Sequence, residues 1–106
     1  MIRGPWFVTA AAVEDYMELH GVDIDDAAAF HRHAAMLSAA CKRATAEGCK
    51  PKRFINGGTA EVWQIREVIA GRSRRLELIV SLAQSGKGYS DQLIAVADRD
   101  ARRPRQ

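Results

Sequence analysis

The sequence has few of the residues that build disulfide frameworks and metal sites. Its 106 residues include two cysteines, three histidines and three prolines. Cys41 and Cys49 are too few for a disulfide scaffold, and a zinc site needs more ligands at close spacing. We therefore expect reduced, structural cysteines, no bound metal and no cofactor.

Long apolar runs are also missing. No stretch approaches the roughly 18–20 apolar residues that span a bilayer, and acidic residues follow the apolar N-terminal patch too soon for a signal peptide. Hydrophobic residues make up 47% of the chain and charged residues 27%, which is typical of a globular protein. We expect a cytoplasmic protein with no membrane contact, in which residues 1–99 form one domain and the basic residues 100–106 form a flexible tail.

The charge is unevenly distributed along the chain. Residues 1–48 contain four Lys/Arg and seven Asp/Glu, which gives −3, whereas residues 49–106 contain twelve Lys/Arg and six Asp/Glu, which gives +6. The net charge of +3 therefore comes from the second half. Such asymmetry favours a polyanionic or acidic partner, although a solvated basic surface would show the same composition.

Two helices are predicted in the first half. Thr9 is a suitable N-cap for a helix over residues 10–20. A second helix of about 22 residues begins near Asp23 or Asp25, either of which can cap it, and ends at Gly48. Its apolar positions recur at alternating steps of three and four, as on one helical face; they are Ala27, Phe30, Ala34, Leu37, Cys41 and Ala44.

Strands are predicted on either side of the helices. Residues 5–9 form a short strand of aromatic and β-branched residues. Pro51 prevents the second helix from continuing, and the turn signal "NGG" (residues 56–58) separates an extra short strand at residues 54–55 from a longer strand. A turn at residues 71–73 leads to the next strand, whose alternating apolar residues mark a core face; these are Leu76, Leu78, Val80 and Leu82.

The last strand is predicted over residues 93–97, with Leu93, Ala95 and Ala97 on one face and Ile94 and Val96 on the other. Apolar residues on both faces indicate a strand that is buried on both sides or paired centrally. The order β-α-α-β-β-β predicts an α+β fold in which two helices pack on one face of an antiparallel sheet.

No catalytic signature is present. The stretch "SGKGYS" (residues 85–90) lacks the spacing and the following helix of a phosphate-binding loop, so we interpret it as a flexible hairpin loop. His31 adjoins the apolar stripe of the second helix and His33 points away from it. We therefore expect a partly buried His31, a solvated His33 and no joint site.

Basic residues are more informative, because they attach to the predicted strands and turns. Arg66 and Arg74 are expected on neighbouring strands near one turn, where guanidinium groups suit phosphate oxygens. The alternative is that these arginines pair across strands with Glu61, Glu67 and Glu77. The candidate anion or nucleic-acid site comprises Lys52, Arg53, Arg66, Arg72, Arg74 and Arg75.

The order of elements resembles the RelE/ParE toxin superfamily. The resemblance rests on the short first strand leading into "TAAAVEDYMEL" and on the ending "RRLELIVSL…DQLIAVADR". It implies basic residues on the sheet, with Arg66, Arg74 and Arg75 stabilising charge on a scissile phosphate. Residues 98–106 contain no histidine or tyrosine, so the resemblance supplies no general base.

Two functional hypotheses remain open. The first, which we prefer, is a non-enzymatic interaction protein, for example of a phage or mobile element, that binds nucleic acid or an acidic protein surface. The second is a RelE/ParE-like toxin, acting as a ribonuclease or as a protein-targeting poison. A homodimer through the alanine-rich helix is less favoured, because the same face must cover the sheet.

Overall fold

The computed structural model describes residues 6–46, 49–83 and 91–99. The predicted order of elements is confirmed, including the extra short strand before "NGG". The elements are β1 (Phe7–Val8), α1 (Ala10–Leu19), α2 (Ala27–Ala44), β2 (Arg53–Ile55), a 3-10 turn (Asn56–Gly58), β3 (Ala60–Ile69), β4 (Arg72–Ser81) and β5 (Gln92–Asp98).

The five strands form one sheet in the order β1-β5-β4-β3-β2. All neighbours are antiparallel except β1 and β5, which are parallel and pair Phe7 with Gln92 and Val8 with Leu93. The α+β class is as predicted, and the sheet is mixed rather than purely antiparallel because β1 runs parallel to β5. Gly48, the loop at residues 85–90 and the tail at residues 100–106 lie outside the described residues.

The β3–β4 hairpin is the longest pairing in the sheet. Its turn consists of Ala70 and Gly71, both with positive φ (52° and 78°), and the flanking residues Ile69 and Arg72 pair directly. Two consecutive residues with positive φ match the right-handed twist of the strands. The turn therefore lies one residue earlier than the predicted residues 71–73, and Arg72 belongs to β4.

The core lies between the two helices and one face of the sheet. Leu76, Leu78 and Val80 of β4 are fully buried there, as their alternation predicted. Trp63 of β3 packs against Trp6, with ring centroids 5.3 Å apart. Among the described residues, no helix combines the length and apolar content that a membrane crossing requires.

The predicted faces of β5 are wrong because this strand contains a bulge. Val80 pairs with Leu93 and Ile79 with Ala95, so Ile94 is an extra residue on β5. An extra residue reverses the alternation beyond it. Leu93 and Val96 therefore share the core face, while Ile94 is 39% exposed. Strand β5 is paired on both sides, with β1 and with β4. Of the two predicted alternatives, the centrally paired strand is confirmed.

Both helices have side-chain caps. Thr9 caps α1 as predicted, and its Oγ1 accepts a hydrogen bond from the Ala12 amide. The cap of α2 is Asp26 rather than Asp23 or Asp25, and α2 has 18 residues. The helix starts later than predicted because the Asp23 carboxylate instead accepts the Asp25 amide in a preceding turn.

The buried face of α2 is rotated relative to the predicted stripe. His33 is buried and His31 is exposed, so both histidine predictions are wrong. Burial of His33 is tolerated because its Nδ1 donates to the Ala29 carbonyl, 2.8 Å away. Ala27 is exposed, and the buried residues are Ala29, His33, Leu37, Ala40, Cys41 and Ala44.

The outer edge of β5 is protected by α1. Strand β1 pairs with only Gln92 and Leu93, and no other strand of the described residues lies along that edge. Asp15 of α1 accepts a hydrogen bond from the Val96 amide at 3.0 Å. A helix side chain thus satisfies a backbone donor that would otherwise lack a partner.

We predict that Asp15→Ala destabilises the protein by about 1–3 kcal/mol, because the part-buried Val96 amide loses its acceptor. Urea unfolding measures the change. Asp15→Asn keeps an oxygen at this position and should have a smaller effect. Equal destabilisation by both substitutions would contradict the proposed role of the acceptor.

Candidate functional site

A cleft of about 440 Å³ opens beside β3, where the end of α2 approaches the sheet. Four cationic side chains line it, and none of the described residues around it is acidic. Arg43 comes from α2, Lys50 and Lys52 from the segment before β2, and Arg66 from β3. The other lining residues are Ala44, Cys49, Trp63, Gln64 and Ile65. We call this site the basic cleft.

The shortness of β2 creates the basic cleft. Strand β2 pairs with only Ala60, Glu61 and Val62 of β3. Pro51 precedes β2, and a proline cannot donate to a strand ladder. The segment at residues 49–51 therefore leaves the sheet and, together with Lys52, forms one wall of the cleft. Beyond Val62, no strand of the described chain pairs with β3 on that side.

Arg43 is held at the cleft wall by a buried carboxylate. Its Nη2 atom lies 3.4 Å from Oε1 of Glu67. Oε2 of Glu67 accepts a short hydrogen bond from the Tyr16 hydroxyl and lies 2.8 Å from Nε2 of His20. We call these four residues the Glu67 cluster; it joins α1, α2 and β3.

The contacts of the Glu67 cluster stabilise the fold. Burial, followed by the hydrogen bond to Glu67, raises the pKa of the Tyr16 hydroxyl above its ordinary value, so Tyr16 is a donor and not a base at neutral pH. The side chains of His20 and Glu67 are only 16% and 11% exposed. Their polar atoms satisfy one another, which fastens the helices to the sheet and orients Arg43.

The two cysteines lie in contrasting environments. Cys49 is exposed and lines the basic cleft. Cys41 is buried in α2, and burial raises the pKa of its thiol to about 11. Both thiols are free, as the sequence predicted. Within the described residues, no group of His, Cys, Asp or Glu side chains is arranged to hold a metal ion.

The structure divides the predicted site residues among three places. Lys52 and Arg66 lie together in the basic cleft. Arg53 and Arg75 lie on the sheet face opposite the helices, which we call the open face. Arg72 and Arg74 occupy the alternate positions of β4 and are directed to the helical side.

The predicted convergence of Arg66 and Arg74 on one surface is wrong. The two residues lie on neighbouring strands, but Arg66 is opposite Arg75 and Arg74 is opposite Glu67. Because side chains of directly paired residues share a face, Arg66 and Arg74 are on opposite faces. Arg74 is bound to Asp98, with Nη1 and Oδ2 2.5 Å apart.

An ion-paired group occupies the open face. Oε2 of Glu77 lies 3.0 Å from Nη1 of Arg53 and 3.0 Å from Nη1 of Arg99. The cross-strand pairing that was the alternative interpretation therefore applies to Arg53. The hydrogen bond from Arg53 is the largest of the effects that hold the pKa of the Glu77 carboxyl below its ordinary value, and Arg99 adds to it.

Sequence reasoning missed two parts of the site. Tyr16 and His20 are four residues apart on α1, a spacing that places them on one helical face. Their acceptor, Glu67, is a strand residue more than forty positions later, so no local pattern indicates the cluster. Arg43 is a typical cationic residue for a helix C-terminus, and its position in the cleft depends on tertiary packing.

Comparison with known proteins adds no relative: no protein-family model, curated protein or solved structure matches this chain.

We predict that Glu67→Gln destabilises the protein by about 1–3 kcal/mol, because a carboxamide has one acceptor oxygen and no charge with which to satisfy three donors. Urea unfolding at neutral pH measures this. Glu18→Gln makes the same chemical change at an exposed position of α1 and serves as the control. Equal stabilities of the two variants would contradict a structural role for the cluster.

The lowered pKa of Glu77 predicts a pH dependence. A carboxylate whose pKa is lower in the folded state stabilises the protein above its unfolded pKa of about 4.3, and this stabilisation is lost as the pH falls through the folded pKa. The stability difference between the wild type and Glu77→Gln should therefore be constant from about pH 7 to 5 and shrink below about pH 4.3.

Denaturant titrations at several pH values measure that difference. Glu14→Gln, at an exposed position of α1, is the control and should show no such dependence. A difference between the wild type and Glu77→Gln that does not change with pH would contradict the prediction.

Proposed function

We propose that this protein is a non-enzymatic interaction protein that binds an anionic partner, through phosphate or carboxylate oxygens, in the basic cleft. The observation that carries the proposal is the lining of the cleft, with four cations and no acid among its described residues. Such a concave positive surface concentrates anions. Nucleic acid and an acidic protein surface both present the required oxygens.

Two of the four cleft cations lack partners in the described chain, which supports a binding role. In the described part of the chain, the side chains of Lys52 and Arg66 make no hydrogen bond or ion pair. By contrast, Arg53 and Arg74 are already paired with carboxylates. Because Lys52 and Arg66 have no carboxylate partner in the described chain, both side chains are available to pair with a ligand.

The Glu67 cluster supports the proposal of a non-enzymatic function. The histidine of this cluster, His20, has a side chain that is only 16% exposed, and its Nε2 lies 2.8 Å from Oε2 of Glu67. A general base must reach the proton that it removes, and this imidazole is directed to a carboxylate inside the fold. The second candidate, a RelE/ParE-like ribonuclease, is supported by the order of elements, and fold likeness does not establish activity.

A charge-matched pair of variants tests the proposal. Lys52→Ala/Arg66→Ala removes two cations from the cleft, and Arg32→Ala/Arg72→Ala removes two exposed cations from elsewhere. A single-stranded RNA oligonucleotide serves as the polyanion probe, with binding measured by fluorescence anisotropy. Four phosphate contacts predict a loss of affinity of about 50-fold between about 50 and 200 mM salt, and two contacts predict about sevenfold.

We expect the cleft variant to show the shallow salt dependence and the control variant to keep that of the wild type. Equal effects of the two variants would contradict a site in the cleft. Gel analysis of the same RNA after incubation distinguishes the candidates, because cleavage by the wild type would favour the ribonuclease over the interaction protein.

A further inference from the structure

The outer edge of β3 continues beyond its short neighbour. Strand β2 pairs with β3 only as far as Val62, whereas β3 extends to Ile69. No strand in the described part of the chain lies beside the remaining seven positions. At about 3.3 Å per residue, this open edge is roughly 23 Å long. The basic cleft lies along its first half.

A hydrogen bond between β3 and the segment before β2 shows which backbone groups of β3 face away from β4. The carbonyl of Val62 accepts from the Lys52 amide on the β2 side, at 2.7 Å. Outward-facing residues of a strand recur at every second position, so Gln64, Arg66 and Val68 direct their amides and carbonyls away from β4. None of these six backbone groups has a hydrogen-bond partner in the described chain.

The two edges of the sheet differ in this respect. On the β5 side, α1 covers the edge and Asp15 accepts the Val96 amide. On the β3 side, the charged side chains that line the edge are cations, which donate but do not accept hydrogen bonds. In the described chain none of them bonds the outward amides or carbonyls. Val68 is 66% exposed, so the far end of this edge is accessible.

The alternation of donors and acceptors distinguishes the possible ligands. A phosphate or carboxylate group accepts hydrogen bonds and satisfies only the three amides. An extended polypeptide offers donors and acceptors at the strand period, so it satisfies the amides and the carbonyls together. The surrounding cations Arg43, Lys50, Lys52 and Arg66 then select acidic side chains on that polypeptide.

We propose that an extended acidic segment of a partner protein adds to the outer edge of β3 as a further strand. The proposal rests on the proposed anion-binding function and names its ligand. A second copy of this chain is a poor occupant, because it would bring two sets of the same four cations together. Residues 100–106 of the chain carry three arginines and one aspartate, so they would also be repelled.

Hydrogen exchange measured by NMR tests the proposal directly on the full chain. The probe is a seven-residue peptide in which glutamate and valine alternate, and a single-stranded RNA of equal charge is the comparison. In the free protein, the amides of Gln64, Arg66 and Val68 should exchange fast and those of Trp63 and Ile65 slowly. The peptide should slow the three fast amides at least tenfold, and the RNA should not.

Backbone-modified peptides provide a second measurement that needs no protein variant. One peptide is N-methylated at every valine and another at every glutamate, so both keep the same charge. Because only alternate residues of an added strand face β3, one of the two should bind at least tenfold more weakly than the unmodified peptide, and the other should bind similarly. Equal affinities of all three would overturn the proposal.

A matched pair of protein variants completes the test. Gln64→Pro removes an outward amide at a position where strand proline is tolerated, and Gln64→Ala retains the amide. Only the proline variant should lose affinity for the peptide, by at least tenfold. If Gln64→Pro does not fold, the methylated peptides decide.

The outcomes separate this proposal from the broader function. Salt-dependent binding of peptide and RNA without slower exchange at the β3 edge would overturn the added strand and leave an anion-binding cleft. RNA that protects the three amides as strongly as the peptide would make nucleic acid the ligand and also overturn the proposal. Absence of binding by both probes would overturn the proposed function itself.

Discussion

The register of the β3–β4 hairpin is the constraint on which the rest of the structure depends. The two-residue turn fixes the pairing of Ile69 with Arg72, and strict alternation then determines the face of the paired residues along β3 and β4. Arg66 is thereby placed at the cleft, and Glu67 is directed to the helices. A slip of one residue would expose the Glu67 carboxylate and bury a guanidinium group among apolar side chains.

The cations of the basic cleft also disfavour pairing of the outer β3 edge with the same edge of a second copy. An exposed strand edge is a template for pairing with another chain, and charged side chains are one means by which natural proteins prevent this. Here Lys52 and Arg66 lie where a second β3 edge would have to approach. One set of charges therefore disfavours pairing between identical chains and suits the proposed pairing with a segment of opposite sign.

The sequence was sufficient for features that depend on local periodicity. The element order, the Thr9 cap and the alternation of Leu76, Leu78 and Val80 all follow from residues close together in the chain. The β5 faces were not predictable, because one extra residue in the ladder reverses the alternation without any change in composition. The cleft and the Glu67 cluster were beyond reach as well, since their residues meet only when the end of α2 packs beside β3.

The contrast between the two thiols has a practical consequence. Thiolate is the reactive form of cysteine, and the raised pKa of Cys41 together with its burial keeps that side chain inert at neutral pH. Cys49 is exposed on the wall of the basic cleft. The wild-type chain therefore carries a single native attachment point for a spectroscopic label, located where a ligand would change the label's surroundings.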